Sequence, residues 1–125
     1  MIFVGTLLKV IDNSGAHTAR CIKLYKGSAN HGALIGDQIL VSVRHLVSTK
    51  KTIKVKKSGL YRALIVRTSK EVCRKDGMLI KMDSNAIVLI NPNGNPIGTR
   101  IRGPIFKEIR DLQFLKIASI AQGLI

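Results

Sequence analysis

Residues 61–90 read YRALIVRTSKEVCRKDGMLIKMDSNAIVLI. Two apolar runs, one around Ala63 to Val66 and one from Ala86 to Ile90, bracket a basic segment with Asp76-Gly77 at its middle. Both runs are short, rich in Ile, Val and Leu, and apolar without interruption, the pattern of strands buried on two faces. Asp-Gly between alternating residues signals a hairpin, because the chain reversal needs positive φ that these two residues tolerate. With Asp76-Gly77 as a two-residue turn, Lys75 faces Met78, Arg74 faces Leu79 and Cys73 faces Ile80. Neither face of that ribbon is cleanly apolar, so it is expected to reach past the body of the fold.

Short strands and turn clusters continue on both sides. Thr6 to Ile11 reads as a strand closed by Asp12-Asn13-Ser14-Gly15, and Thr18 to Tyr25 as a second. A Gly-rich loop over 26–36 leads to Gln38–Val47, where Ile39, Val41 and Val43 face one way. In STKKTIKVKKSG, residues 48–59, Ile53 and Val55 alternate with lysines, as in an edge strand that lysine shields. Ile97–Ile101 reads as a further short strand. The period changes at Gly103-Pro104: Ile105, Ile109 and Leu112 recur at helical spacing, and Asp111 is placed to cap a second helix through Ala121, with Gly123 just past its end. Strands first and short helices last indicate a mostly β protein. The expected fold on these grounds is a mostly antiparallel β-barrel or sandwich with a C-terminal helical cap. One domain over 1–125 is expected, with the barrel at about 1–103 and a helical cap at about 104–125.

Charge is the strongest functional signal. Lys and Arg number 21 against 7 Asp and Glu, a formal net charge of +14. Such a chain repels itself unless a polyanion neutralises it, which makes nucleic acid the leading partner. A membrane partner is not expected, since there is no basic amphipathic helix with an aromatic face and no apolar run of about 18 residues. The first residues, MIFVGTLLKV, do not resemble a removable targeting peptide.

Catalytic and metal chemistry find little support. There is no nucleophile elbow, phosphate-binding Gly loop or carboxylate pair, so an enzyme is not expected. Asp12, Asp37, Asp76 and Asp111 each sit at turn or cap positions, where bonding to the backbone accounts for them. Cys21 and Cys73 lack a C-x-x-C pair, and His17, His31 and His45 stand at no zinc spacing, so neither a metal nor another cofactor is expected. Cys21 fits a buried small hydrophobe.

The basic residues divide by type. Lys50, Lys51, Lys54, Lys56 and Lys57 suit a phosphate surface as mobile point charges, whereas Arg62, Arg67, Arg74, Arg100 and Arg102 are planar forks for bidentate contact or stacking. Aromatic content is only 4%, too low for a reader built on rows of base-stacking rings. Recognition of folded, double-stranded RNA by shape and backbone is the better match.

Spaced motifs then bring a family into view. VIDNSGA (10–16), CIK (21–23), GD (36–37), KVKKSG (54–59), ALIVRT (63–68), DG (76–77), NAIVLIN (85–91), PIGTRIRGP (96–104) and EIR (108–110) together resemble the L-fourteen family of large-ribosomal-subunit proteins, bacterial or organellar type. Met82, Arg102 and His17 depart from its pattern, as does the arginine-free loop at 28–31. The resemblance implies a five-stranded antiparallel β-barrel with a projecting β-hairpin and short C-terminal helices, a structural constituent of the large ribosomal subunit that binds large-subunit rRNA and bridges to small-subunit rRNA. It also implies ribosomal proteins L-three and L-nineteen as neighbours, and a ribosome-silencing factor docked on Thr99, Arg100, Lys116 and Ser119. The expected RNA contacts are Lys23, Lys50, Lys51, Lys54, Lys56, Lys57, Arg67, Arg74, Lys75, Arg100, Arg102, Lys107 and Arg110. The rival reading is a free, sequence-tolerant RNA-binding chaperone or translation regulator. An excess of Ile over Ala and of Lys over Arg favours a mitochondrial matrix ribosome, with bacterial cytoplasm or plastid as alternatives.

Overall fold

The structure is a computed structural model that describes residues 2–25, 32–47 and 53–125. In chain order its strands are β1 (Leu7–Val10), β2 (Ala16–Leu24), β3 (Gln38–Leu46), β4 (Leu60–Arg67), β5 (Val72–Cys73), β6 (Leu79–Ile80), β7 (Ala86–Ile90), β8 (Pro104–Ile105) and β9 (Gly123–Leu124). Two short helices, α1 (Glu108–Asp111) and α2 (Leu115–Ile120), lie between β8 and β9. β1, β2, β3, β4 and β7 close into a five-stranded barrel.

Every barrel junction is antiparallel except the last, where β1 runs parallel to β7 with Lys9 beside Ala86 and Val10 beside Ile87. The expected barrel is thus antiparallel at four of its five junctions, and the reason for the exception is topological. Five strands of alternating direction cannot close a ring without one parallel pair.

The two apolar runs of residues 61–90 are β4 and β7, and each is buried on both faces. Ala63 and Ile65 point into the barrel with Ile39, Val41, Val43, Ile87 and Leu89. Leu64, Val66, Val88 and Ile90 point outward and are covered by Ile101, Ile105, Ile109 and Ile117. Each such side chain contributes roughly 1.5–3 kcal/mol on burial, so the cap is held as firmly as the interior. In β2 the register shifts between Cys21 and Lys23, which keeps Cys21 inside and turns both Ile22 and Lys23 outward.

The hairpin forms a separate two-stranded sheet outside the barrel, but its register differs from expectation by one residue. Val72 pairs with Ile80 and Cys73 with Leu79. The loop has three residues: Gly77 N–H donates to the Arg74 carbonyl at 3.0 Å, Arg74 N–H to the Met78 carbonyl at 2.9 Å, and Gly77 sits at φ +87°. This is a type I turn followed by a left-handed glycine, the usual three-residue hairpin loop. Asp76 Oδ1 accepts the Met78 N–H at 3.0 Å and fixes the turn.

Four further expectations change. Residues 53–56 form no strand, although Val55 still reaches the barrel core. Residues 97–101 form only an isolated bridge from Ile101 to Asp12. Pro104-Ile105 is a strand paired in parallel with Gly123-Leu124, so helix begins only after Lys107. The helical spacing of Ile105, Ile109 and Leu112 misled because Ile105 belongs to a strand and Leu112 is already the C-cap of α1. Gln113, at φ +72°, ends α1: its N–H bonds the Arg110 carbonyl and the Phe114 N–H bonds that of Ile109. That pair of bonds is a Schellman ending, made here without the usual glycine. Asp111 is the last residue of α1 and Phe114 precedes α2, which has no side-chain cap.

Burial raises the Cys21 thiol above its ordinary pKa, an effect only partly offset by backbone hydrogen bonding at Lys23, while Cys73 is exposed. Thiol labelling of the native protein is expected to modify Cys73 quickly and Cys21 only on unfolding. A raised thiol pKa means the unfolded chain loses its proton first. Stability should therefore fall as pH rises from the ordinary thiol range towards the raised folded value, and Cys21→Ala should lose that part of the pH dependence in thermal melts.

Candidate nucleic-acid interface

The turn between β1 and β2 builds one end of the site. Asp12 is 1% exposed; its Oδ1 accepts from Ser14 N–H at 3.2 Å and Ser14 Oγ at 2.6 Å, and its Oδ2 from the Leu89 N–H of β7 at 3.1 Å. Next to it, Asn13 grips the segment Gly98-Thr99-Arg100. Asn13 Oδ1 accepts the Thr99 and Arg100 N–H groups at 2.7 and 3.1 Å, and its amide nitrogen donates to Thr99 Oγ1 at 2.8 Å. Asn13 N–H in turn donates to the Arg100 carbonyl at 3.2 Å. A carboxamide is the one side chain that both accepts and donates as a peptide does, which is why Asn suits this position. Gly98 is required beneath it, since a Cβ there would lie 2.6 Å from Asn13 Oδ1. The clamp leaves Thr99, Arg100 and Arg102 exposed.

A second anchor crosses β4 and the cap. Arg67 Nε donates to the Pro104 carbonyl at 2.7 Å and its terminal nitrogen to the Arg102 carbonyl. A side chain at Gly103 would run into that guanidinium, and Gly103 also sits at φ +73°. Burial lowers the Arg67 pKa, yet a guanidinium remains charged at physiological pH.

The third anchor joins hairpin to cap. Arg74 Nε meets Glu108 Oε1 at 2.6 Å, a terminal nitrogen reaches Oε2 at 3.2 Å, and the same nitrogen bonds the Ile125 carbonyl. Only 11% of the Arg74 side chain and 25% of Glu108 are exposed, so this bidentate pair is shielded from salt. A groove of about 450 Å³ runs along the joint, lined among others by Cys73, Lys75 and Lys107.

The residues expected to contact RNA thus separate into groups. Arg67 and Arg74 are engaged in holding the fold. Lys23, Lys54, Lys56, Lys57, Lys75, Arg100, Arg102 and Arg110 are exposed, Lys107 is half-buried, and none of these forms an ion pair among the described residues. Lys50 and Lys51 lie outside the described residues. Lys116 and Ser119 are exposed on α2, where Ser119 Oγ donates to the Lys116 carbonyl at 2.7 Å, and no described hydrogen bond joins them to Thr99 or Arg100. Two features escaped the sequence reading. One is the Asn13 clamp; the other is Tyr25, whose ring lies under Arg62 Cζ at 4.6 Å and Lys23 Nζ at 5.6 Å. Among the described residues no three His, Cys, Asp or Glu side chains converge as a metal site, and no helix is long and apolar enough to cross a membrane.

A closed barrel that carries unpaired cations on rigid turns is the architecture of a basic β-barrel scaffold protein. The sequence model of the family described as Ribosomal protein L14p/L23e matches residues 1–125, the whole chain, and the chain belongs to that family. It is a structural constituent of the large ribosomal subunit.

Removing the clamp should loosen the segment without opening the barrel. Asn13→Ala is expected to cost about 1–3 kcal/mol and to accelerate amide exchange at Thr99 and Arg100, with the β circular-dichroism signal retained. Gly98→Ala should do the same, because its methyl group displaces the Asn13 carboxamide.

Proposed function

We propose that the protein binds large-subunit rRNA through its exposed cations and contributes to an intersubunit bridge with small-subunit rRNA. The observation that carries this reading is the set of exposed, unpaired lysines and arginines on a closed barrel, in a chain of net charge +14 that belongs to a ribosomal family. Each cation that meets a phosphate releases condensed counterions, and a folded barrel presents the cations with their backbone already ordered, so that the ordering cost falls on the side chains alone. The lysines position, whereas the forks Arg100 and Arg102 can address two phosphate oxygens at once. No chemical step is assigned to it; its role is architectural.

Family membership supports finer proposals. Ribosomal proteins L-three and L-nineteen are the proposed neighbours, and a ribosome-silencing factor is proposed to dock on Thr99, Arg100, Lys116 and Ser119. The Asn13 clamp supports the first half of that dock, because it holds Thr99 and Arg100 in one exposed conformation. The surplus of Ile over Ala supports a mitochondrial matrix ribosome, and the location of the gene decides between that and a bacterial or plastid one.

Co-sedimentation with intact large subunits through high salt tests the ribosomal role, and recovery only in the light fractions contradicts it. Within the hairpin, Arg74 and Lys75 should behave differently. Lys75→Ala is expected to flatten the log–log salt dependence of RNA affinity by up to about one unit while leaving the melting temperature unchanged. Arg74→Ala should instead destabilise the fold by about 1–3 kcal/mol, since Glu108 and the Ile125 carbonyl lose their partner.

A further inference from the structure

We infer that Tyr25 and Arg62 form a stacking platform for one unpaired RNA base, an inference that rests on the RNA-binding reading above. Lys23, Leu40 and Arg62 stand side by side across β2, β3 and β4. Their neighbours Ile39, Val41 and Ala63 are fully buried inside, so this row faces outward. Tyr25, just beyond β2, lays its ring beneath the row, 4.6 Å from Arg62 Cζ and 5.6 Å from Lys23 Nζ. Tyr25 is nevertheless 42% exposed. Arg62 is held from a second side by Gln38 Oε1 at 3.4 Å, so its guanidinium plane is oriented before any ligand arrives.

Beside this stack lies a groove of about 360 Å³ lined by Tyr25, Gln38, Arg62, Leu112 and Phe114 together with Asp37. Its acid is already engaged, since Asp37 Oδ2 accepts the Leu34 N–H at 2.9 Å. A flat, weakly hydrated guanidinium stacked on a phenol offers its other face to a second flat π-system. An apolar, aromatic wall with cations at its rim suits a base and its flanking phosphates, which is how proteins hold splayed-out bases in RNA loops and bulges. The low aromatic content of the chain excludes a row of such sites, but one platform needs only one ring. The platform would add a local preference for unpaired RNA to binding otherwise governed by phosphates.

The test compares a stem-loop RNA with an unpaired adenine loop, the same RNA with abasic loop nucleotides, and an uninterrupted duplex of equal length. Tyr25→Leu should weaken stem-loop binding about tenfold and leave duplex affinity and the salt slope unchanged. The abasic loop should weaken the wild type by a similar factor and the variant no further. Tyr25→Phe should bind as the wild type does, and Arg62→Lys, which keeps the charge but not the plane, should show part of the loss. Circular dichroism confirms the fold of each variant. Wild-type stem-loop affinity in Tyr25→Leu, with salt-dependent binding intact, overturns the platform and leaves phosphate binding standing. Absence of salt-dependent binding to any of the three RNAs removes the underlying reading as well. Unchanged RNA affinities with poorer incorporation of Tyr25→Leu into large subunits would make this surface a protein contact and overturn the stacking role.

Discussion

Closing a ring of five strands requires one parallel pair, and the rest of this molecule is arranged around that junction. β1 and β7 share only a two-residue register, Lys9 with Ala86 and Val10 with Ile87. Asp12 reinforces it from just past the end of β1 by accepting the Leu89 N–H of β7 while tying down the Ser14 turn. A buried carboxyl group that satisfies two donors of the Ser14 turn and one of β7 is costly to replace, because each donor would be left dry. The Ile11 N–H to Ile87 carbonyl bond extends the same junction, and the Arg102 N–H bonds the Ile11 carbonyl on its other side.

The exposed site depends on that closure. Asn13 can hold Thr99 and Arg100 only because Asp12 fixes the turn that carries it, and Arg102 stands between the Ile11 carbonyl and the guanidinium of Arg67. Outside the ring, β4 and β7 turn their second faces to Ile105, Ile109 and Ile117, so the cap is an extension of the core. Arg74 then ties the hairpin to that cap through Glu108. Arg100, Arg102, Lys75, Lys107 and Arg110 are consequently mounted on segments that have an internal anchor. For a polyanion-binding scaffold this matters, since a preordered backbone meets phosphates at the cost of side-chain freedom alone.

Much of this was legible in the residues. Uninterrupted apolar runs at 63–66 and 86–90 announced strands buried on two faces, and the late change of period announced a helical cap. The failures have definite physical causes. The hairpin register slipped by one because Gly77 adopts a left-handed bulge after a type I turn, and Asp-Gly serves both geometries. The first C-terminal helix was placed too early because Pro104 and Ile105 form strand hydrogen bonds to a segment eighteen or more residues away in the chain, which local periodicity does not register. Gln113 ended α1 in a conformation usually taken by glycine, so no stop signal was visible.

The candidate site was legible as composition and obscure as geometry. Arginines grouped together in sequence as planar forks divide in space: Arg67 and Arg74 hold the fold, Arg62 stacks on Tyr25, and Arg100 and Arg102 face solvent. No spacing rule separates these roles, because each is decided by a partner at long range, such as Glu108 for Arg74. Nor does the Asn13 clamp have a local signature beyond Asn in a turn, where the bland role of capping its own backbone is equally at home.

That one closure supports the exposed segment is tested most directly by amide hydrogen exchange on Asp12→Asn, a near-isosteric change that places an NH2 group against a backbone donor. The account predicts that Leu89, Thr99 and Arg100 lose protection together, because the junction and the clamp open as one unit. Faster exchange confined to Leu89, with Thr99 and Arg100 protected as in the wild type, would contradict it.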